Sequence, residues 1–167
     1  MREALAEFLS SFLSAEGVTF VLAMLPISEL RGAMIFAASP LGNLPLSEAL
    51  PLSLIGNLLP VLPILLLLEP VSKLGSRFSL GERFFAWVFE RARSKSEKVK
   101  RYEALGLIMF VAIPLPVTGA WTGAAVAFVL GIKTRDAFLA IAAGVMIAGA
   151  IMSVAAYGTA ALFRLFF

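Results

Sequence analysis

The chain has 167 residues, of which 60% are apolar and 15% charged, and its mean hydropathy is +0.93. A soluble domain is about 45–50% apolar and about 25% charged, and a globule of this size buries only about 70% of its unfolded surface, so the composition excludes an ordinary water-soluble fold and predicts an integral membrane protein. At about 20 apolar residues per helical crossing, roughly two to four crossings fit into one membrane domain. The sequence contains no Cys and no His. That excludes disulfides, thiolate metal sites and imidazole chemistry, and no metal or cofactor is expected.

Residues 2–14 read as an amphipathic interfacial helix, within a leading segment 1–17. Leu5, Phe8, Leu9, Phe12 and Leu13 recur at helical spacing, and Glu3, Glu7, Ser10, Ser11 and Ser14 take the other face. Residues 18–70 form a first half. Its segment 18–39 is apolar but interrupted by Pro26-Ile27-Ser28-Glu29-Leu30-Arg31-Gly32. The run 49–68 is more continuously apolar and carries Asn57. Residues 71–103 form a connector. Nine of the fourteen basic residues lie between Lys73 and Arg101, and Phe84, Phe85, Val88, Phe89 and Ala92 make an apolar stripe there. We expect an amphipathic, basic segment, with the 69–103 loop on the cytoplasmic side by the positive-inside rule.

Residues 104–167 form a second half. Segment 104–131 is broken by Pro114-Leu115-Pro116-Val117-Thr118-Gly119-Ala120-Trp121-Thr122-Gly123, and 137–163 is apolar without Pro. The halves resemble each other. Pro26 and Pro114, Glu48 and Asp136, and Gly56 and Gly144 each stand 88 residues apart, while Gly32 and Gly123 stand 91 apart. Each half is then one interrupted segment followed by one continuous span.

The interrupted segments have two readings, a kinked full crossing or a re-entrant hairpin. We favour the hairpin, because Pro and Gly at the break suit a turn and arms of roughly 8–12 residues reach about 12–18 Å. Hairpin plus span is an odd number of crossings, so the second half is inverted relative to the first. The expected fold is an all-α integral membrane protein, an inverted repeat of re-entrant helical hairpin plus transmembrane helix, with amphipathic interfacial helices. Both termini then face away from the cytoplasm, and Lys133 and Arg135 lie on the side of the basic loop. Two opposed hairpins bring their tips toward one another, the arrangement discontinuous helices adopt at transporter sites.

Glu29 and Arg31 are the charges of most interest. A charge at bilayer depth costs about 2.5–3.5 kcal/mol even on the lenient insertion scale. The functional reading is a carboxylate for a proton or cation and an Arg for an anionic group; the structural alternative is an internal ion pair. Ser28, Thr118, Thr122 and Asn57 are candidate polar ligands of a substrate or proton. Asn57 serves equally well as a glue between helices. Pro26, Gly32, Pro114, Pro116, Gly119 and Gly123 are expected to shape the hairpin tips. Ala140, Gly144 and Ala148 form a small-residue stripe for close helix packing.

The segments 26–33 and 114–124 together resemble the two signatures of the small multi-drug export protein family, a relative of the DedA superfamily. The resemblance covers nearly the whole chain. It departs at Val117, where the family usually has Gly, and at Met34-Ile35-Phe36, where the family has a Pro soon after the position of Ala33. The resemblance implies an inverted repeat of re-entrant hairpins and a transport role; DedA relatives are linked to lipid movement between leaflets and to proton coupling. The expected protein is a non-enzymatic secondary transporter or lipid flippase of a prokaryotic cytoplasmic membrane. It would move an amphipathic or anionic substrate between the hairpin tips, with protons as a coupling partner. Membrane lipids and a second copy of the chain, as a homodimer, are the expected partners, and nucleic acid is not. A non-transporting scaffold or assembly factor and a lipid pyrophosphate phosphatase are the alternatives.

Overall fold

A computed structural model describes residues 8–9, 12–75, 97–113 and 118–159. Pro114, Pro116 and most of the 71–103 connector, including its apolar stripe, lie outside the described residues. Seven α-helices are described: α1 (Ala15–Met24), α2 (Glu29–Ala38), α3 (Leu46–Leu58), α4 (Val61–Gly75), α5 (Glu97–Ala112), α6 (Ala120–Leu130) and α7 (Thr134–Met152). A π-helical turn, Ser153–Tyr157, continues α7. There is no strand among the described residues.

Two helical stretches are long and apolar enough to cross a membrane, Leu46–Leu68 with 23 residues and Thr134–Tyr157 with 24. Their outer faces carry large exposed side chains. Ile55, Leu59, Leu62, Leu66 and Leu67 stand out on the first, and Leu139, Met146, Ile147, Ile151 and Val154 on the second. Contiguous apolar surface of this kind is rare on a soluble monomer and is what a lipid-facing helix presents. Both spans overlap the continuous runs expected from the sequence, 49–68 and 137–163, and each begins three residues earlier.

The chain forms two compact units, Met1–Pro60 with Val145–Phe167, and Val61–Gly144. In the first, local chemistry explains the breaks. Ser14 caps α1 by accepting from the Gly17 amide. Glu16, in the first turn, is held below the ordinary carboxylate range, mainly by the Ser14 hydroxyl and also by its own backbone amide. Leu25, just before Pro26, is extended at φ −80° and ψ 138° and stops α1. Ser39, just before Pro40, is extended in the same way and stops α2.

α1 and α2 pack on each other and on α3. Val18, Leu22, Ala23, Ala33 and Phe36 form their core, with Leu9 packed against it. Of the described residues in the 2–14 segment, Leu9 joins the core, while Phe8 and Phe12 are exposed with their rings edge-on at 5.4 Å. The Tyr157 hydroxyl donates to the Leu44 carbonyl at 3.0 Å, tying the π-helical turn to the loop after α2.

The contacts set the chain directions within this unit. A Cβ at Gly149 would touch Leu30, Leu50 and Leu54, so the start of α2 lies level with the middle of α3. A Cβ at Gly56 would lie 2.7 Å from the Phe20 carbonyl oxygen and 2.9 Å from the Ala23 Cβ. The end of α1 therefore meets α3 at Gly56, and the α1–α2 turn lies beside the middle of the 46–68 stretch.

The second unit repeats this arrangement. A Cβ at Gly144 would lie 2.9 Å from the Ile108 carbonyl oxygen and 2.7 Å from the Val111 Cβ. All three residues are 88 beyond their counterparts Gly56, Phe20 and Ala23. α1 and α5 end 88 apart, at Met24 and Ala112, and α3 and α7 begin 88 apart, at Leu46 and Thr134. The starts of α2 and α6, at Glu29 and Ala120, differ by 91. The second turn is three residues longer, and the connection after α6 is correspondingly short. That short connection is closed by Gly131 at φ 66°, with the Gly131 amide donating to Phe128 and the Ile132 amide to Ala127. This is the glycine-terminated helix end that L side chains rarely allow.

Candidate functional site

The turn between α1 and α2 holds four of the predicted residues. Pro26 has no amide hydrogen, so the Leu22 carbonyl four residues back loses its helical donor. The Ser28 hydroxyl, 5% exposed, donates to that carbonyl, beside a long bond from the Leu25 amide at 3.4 Å. Ser28 therefore repairs the break that Pro26 makes. The Leu25 carbonyl accepts from both the Ser28 and Glu29 amides, which closes the turn in four residues.

Gly32 makes the turn tight. Its amide donates to the Ser28 carbonyl at 2.8 Å, and a Cβ there would stand 2.5 Å from the Ser28 Cβ. Glu29 opens α2 at φ 49°, a left-handed conformation uncommon for a residue with a side chain. Such backbone strain concentrates at functional sites. Glu29 and Arg31 are both half-buried; each has interaction partners. Thus Ser28, Glu29, Arg31 and Gly32 share one compact turn, and Pro26 stands exposed at its outer edge.

The second turn is built differently. The Thr118 hydroxyl donates to the Ile113 carbonyl at 2.9 Å. The Thr122 hydroxyl accepts from the Gly119 amide at 3.0 Å and lies 3.2 Å from the Gly119 carbonyl. Both hydroxyls serve as local caps across the turn. Gly119 is extended, at φ 172°, and Gly123 gives α6 close access to α5. A Cβ at Gly123 would stand 2.7 Å from Val111. Trp121 is half-buried.

Asn57 belongs to a different surface, the buried stripe of α3 with Ala49, Ser53 and Gly56. The predicted small-residue stripe Ala140, Gly144 and Ala148 is buried throughout. Sequence reasoning missed Ser53, whose spacing of four from Asn57 was the available signal. It also missed the strained conformation of Glu29, for which the sequence carries no local sign.

Among the described residues no group of His, Cys, Asp or Glu could hold a metal ion. Comparison with curated proteins and with solved structures returns no match. A family model does match, over residues 29–151, a stretch that takes in Glu29, Arg31, Asn57, Thr118, Thr122, the whole of the first apolar span and most of the second. Two membrane-length apolar helices, paired short-helix turns and this match agree, and the chain belongs to the Putative small multi-drug export protein family, membrane proteins described as exporters.

Proposed function

We infer that the protein is a secondary transporter or lipid flippase whose two short helix pairs enter the membrane and return on the same side. The observation that carries this reading is the repeated depth of the turns. Gly56 and Gly144 each lie ten residues past the start of their span, about 15 Å along a helix, or half of a hydrocarbon core about 30 Å thick. The arms α1 and α2 have ten residues each, and α6 and the apolar part of α5, Tyr102–Ala112, have eleven each, long enough to reach that depth and too short to cross.

Parity then gives the inversion. A hairpin and one span make each half odd, so the two halves run oppositely across the membrane. A polar turn at half depth needs a protein-lined or water-lined setting, which is also what an alternating-access site requires. In this reading Glu29 takes up the coupling proton. Arg31 holds the anionic part of an amphipathic substrate. The Thr118 and Thr122 hydroxyls of the second turn are further ligands once their caps open. The protein works as a homodimer, because so short a chain leaves its hairpins exposed to lipid.

The test is flux into proteoliposomes under an imposed pH gradient, read with an amphipathic cationic dye and with a fluorescent anionic lipid phosphate. We expect gradient-driven movement of one probe in the wild type and at least a tenfold loss in Glu29→Gln. Flux unchanged in that variant would remove the proton role from Glu29.

A further inference from the structure

Among the described residues of the first unit, two buried side-chain atoms have no hydrogen-bond partner. The Ser53 hydroxyl and the Asn57 side-chain oxygen are buried, with residue exposures of 0% and 3%. A buried acceptor without a donor is costly and rare in native proteins. The two residues are four apart on α3, so their side chains share one face with Cβ atoms about 5–6 Å apart. That face belongs to the stripe that packs on α1 and α2.

The internal repeat shows that packing does not require polarity here. The counterparts 88 residues on are Ile141 and Val145, which are 0% and 1% exposed. The same architecture is thus satisfied by two plain aliphatic side chains. Ser53 and Asn57 bring oxygen atoms to a place where the sister half has none.

The surroundings are suited to positive charge. Ala23, at the end of α1, packs beside Gly56, so the carbonyl-rich, negative end of the α1 dipole lies next to this stripe. No basic residue occupies the last turn of α1. Pro60 has no amide hydrogen, so the Gly56 carbonyl lacks its helical donor as well. Neutral oxygens suit a hard cation, and the absence of a carboxylate on the stripe favours single charge over double. Glu29 and Arg31, on the facing α2 arm, carry opposite formal charges and leave the balance unchanged.

We propose that Ser53 Oγ and Asn57 Oδ1, with backbone carbonyls at the end of α1 and at Gly56, form a site for a dehydrated monovalent cation of sodium size. The site makes Asn57 a cation ligand and not part of the substrate path. It rests on the transporter reading only for its membrane setting, and an equilibrium measurement without flux tests it separately.

The experiment is thermal unfolding of the purified full chain in detergent, in NaCl against choline chloride at equal ionic strength, with LiCl and KCl as further arms. At a hundredfold excess over Kd, Na+ should raise Tm by about 5 °C or more. The Ser53→Ala/Asn57→Leu variant should lose this response while its Tm in choline equals or exceeds that of the wild type. Ser53→Ala alone should weaken the apparent Na+ affinity at least tenfold, which decides the matter even where the double variant fails to fold. Equal wild-type Tm in Na+ and choline would overturn the proposal in favour of an enclosed water. An undiminished Na+ response in the variants would overturn it in favour of a site elsewhere.

Discussion

Ser28 and Glu29 are neighbours with opposite relations to the fold. Ser28 relieves a defect, since its hydroxyl supplies the hydrogen bond that Pro26 withholds from Leu22. Ser28→Ala leaves that carbonyl with only the long 3.4 Å hydrogen bond from the Leu25 amide and should lower stability by about 1 kcal/mol, measurable as a reduced midpoint in chemical unfolding. Ser28→Thr, which keeps the hydroxyl, should recover most of the loss. Glu29 instead holds strain, at φ 49°. The identity of this tip was legible in the sequence, because a Pro, a Gly and two charges interrupt an apolar run. The division of labour within it was not. Whether a Ser caps a carbonyl or faces a ligand depends on the path of the turn, and that path is set by how Gly32 closes on Ser28. Thr118 and Thr122 carry the same lesson, since hydroxyls that suit a ligand equally suit a broken helix end, where both are engaged.

At the scale of elements, Gly56 and Gly144 fix how closely each span meets the end of the arm beside it. Each makes its contact with a backbone carbonyl, at Phe20 and Ile108, which cannot swing aside as a side chain can. Gly56→Ala and Gly144→Ala should each cost about 1–3 kcal/mol through overpacking. Gly106 and Gly158 have open space around the position of a Cβ. Gly106→Ala and Gly158→Ala should be neutral or slightly stabilising, since Ala is the better helix former. Melting of the four variants side by side in one detergent checks the pattern; equal costs at all four positions would remove the close contacts from the account. The matched glycines were visible as a spacing of 88 in the sequence. The contacts give that spacing its content, because aromatic Phe20 and aliphatic Ile108 meet the glycines through their backbone carbonyls. What the repeat preserves there is a backbone approach, and backbone approaches leave little trace in residue identity beyond the glycine itself. The extra three residues of the second turn were blurred in the sequence by the shift from 88 to 91, which the helix starts at Glu29 and Ala120 locate within the turn.

For the whole molecule, composition alone placed the chain in a membrane, and the exposed Leu, Ile, Met and Val of the two spans fit that setting. The spans were easy to read because continuous apolar character survives any arrangement of the rest. The interrupted segments were harder, since a kinked crossing and a hairpin share one hydropathy pattern. They part only in where the chain goes after the break. The central claim is that these segments are re-entrant, and the absence of native Cys makes it open to direct measurement. Single cysteines at residues 43, 96 and 133 in sealed membranes, labelled with an impermeant maleimide from each side, report the topology. The account predicts that residue 133 labels from the same side as residue 96, with residue 43 on the opposite side. Residues 43 and 133 labelling together, opposite residue 96, would mean that both segments cross fully, and would contradict it.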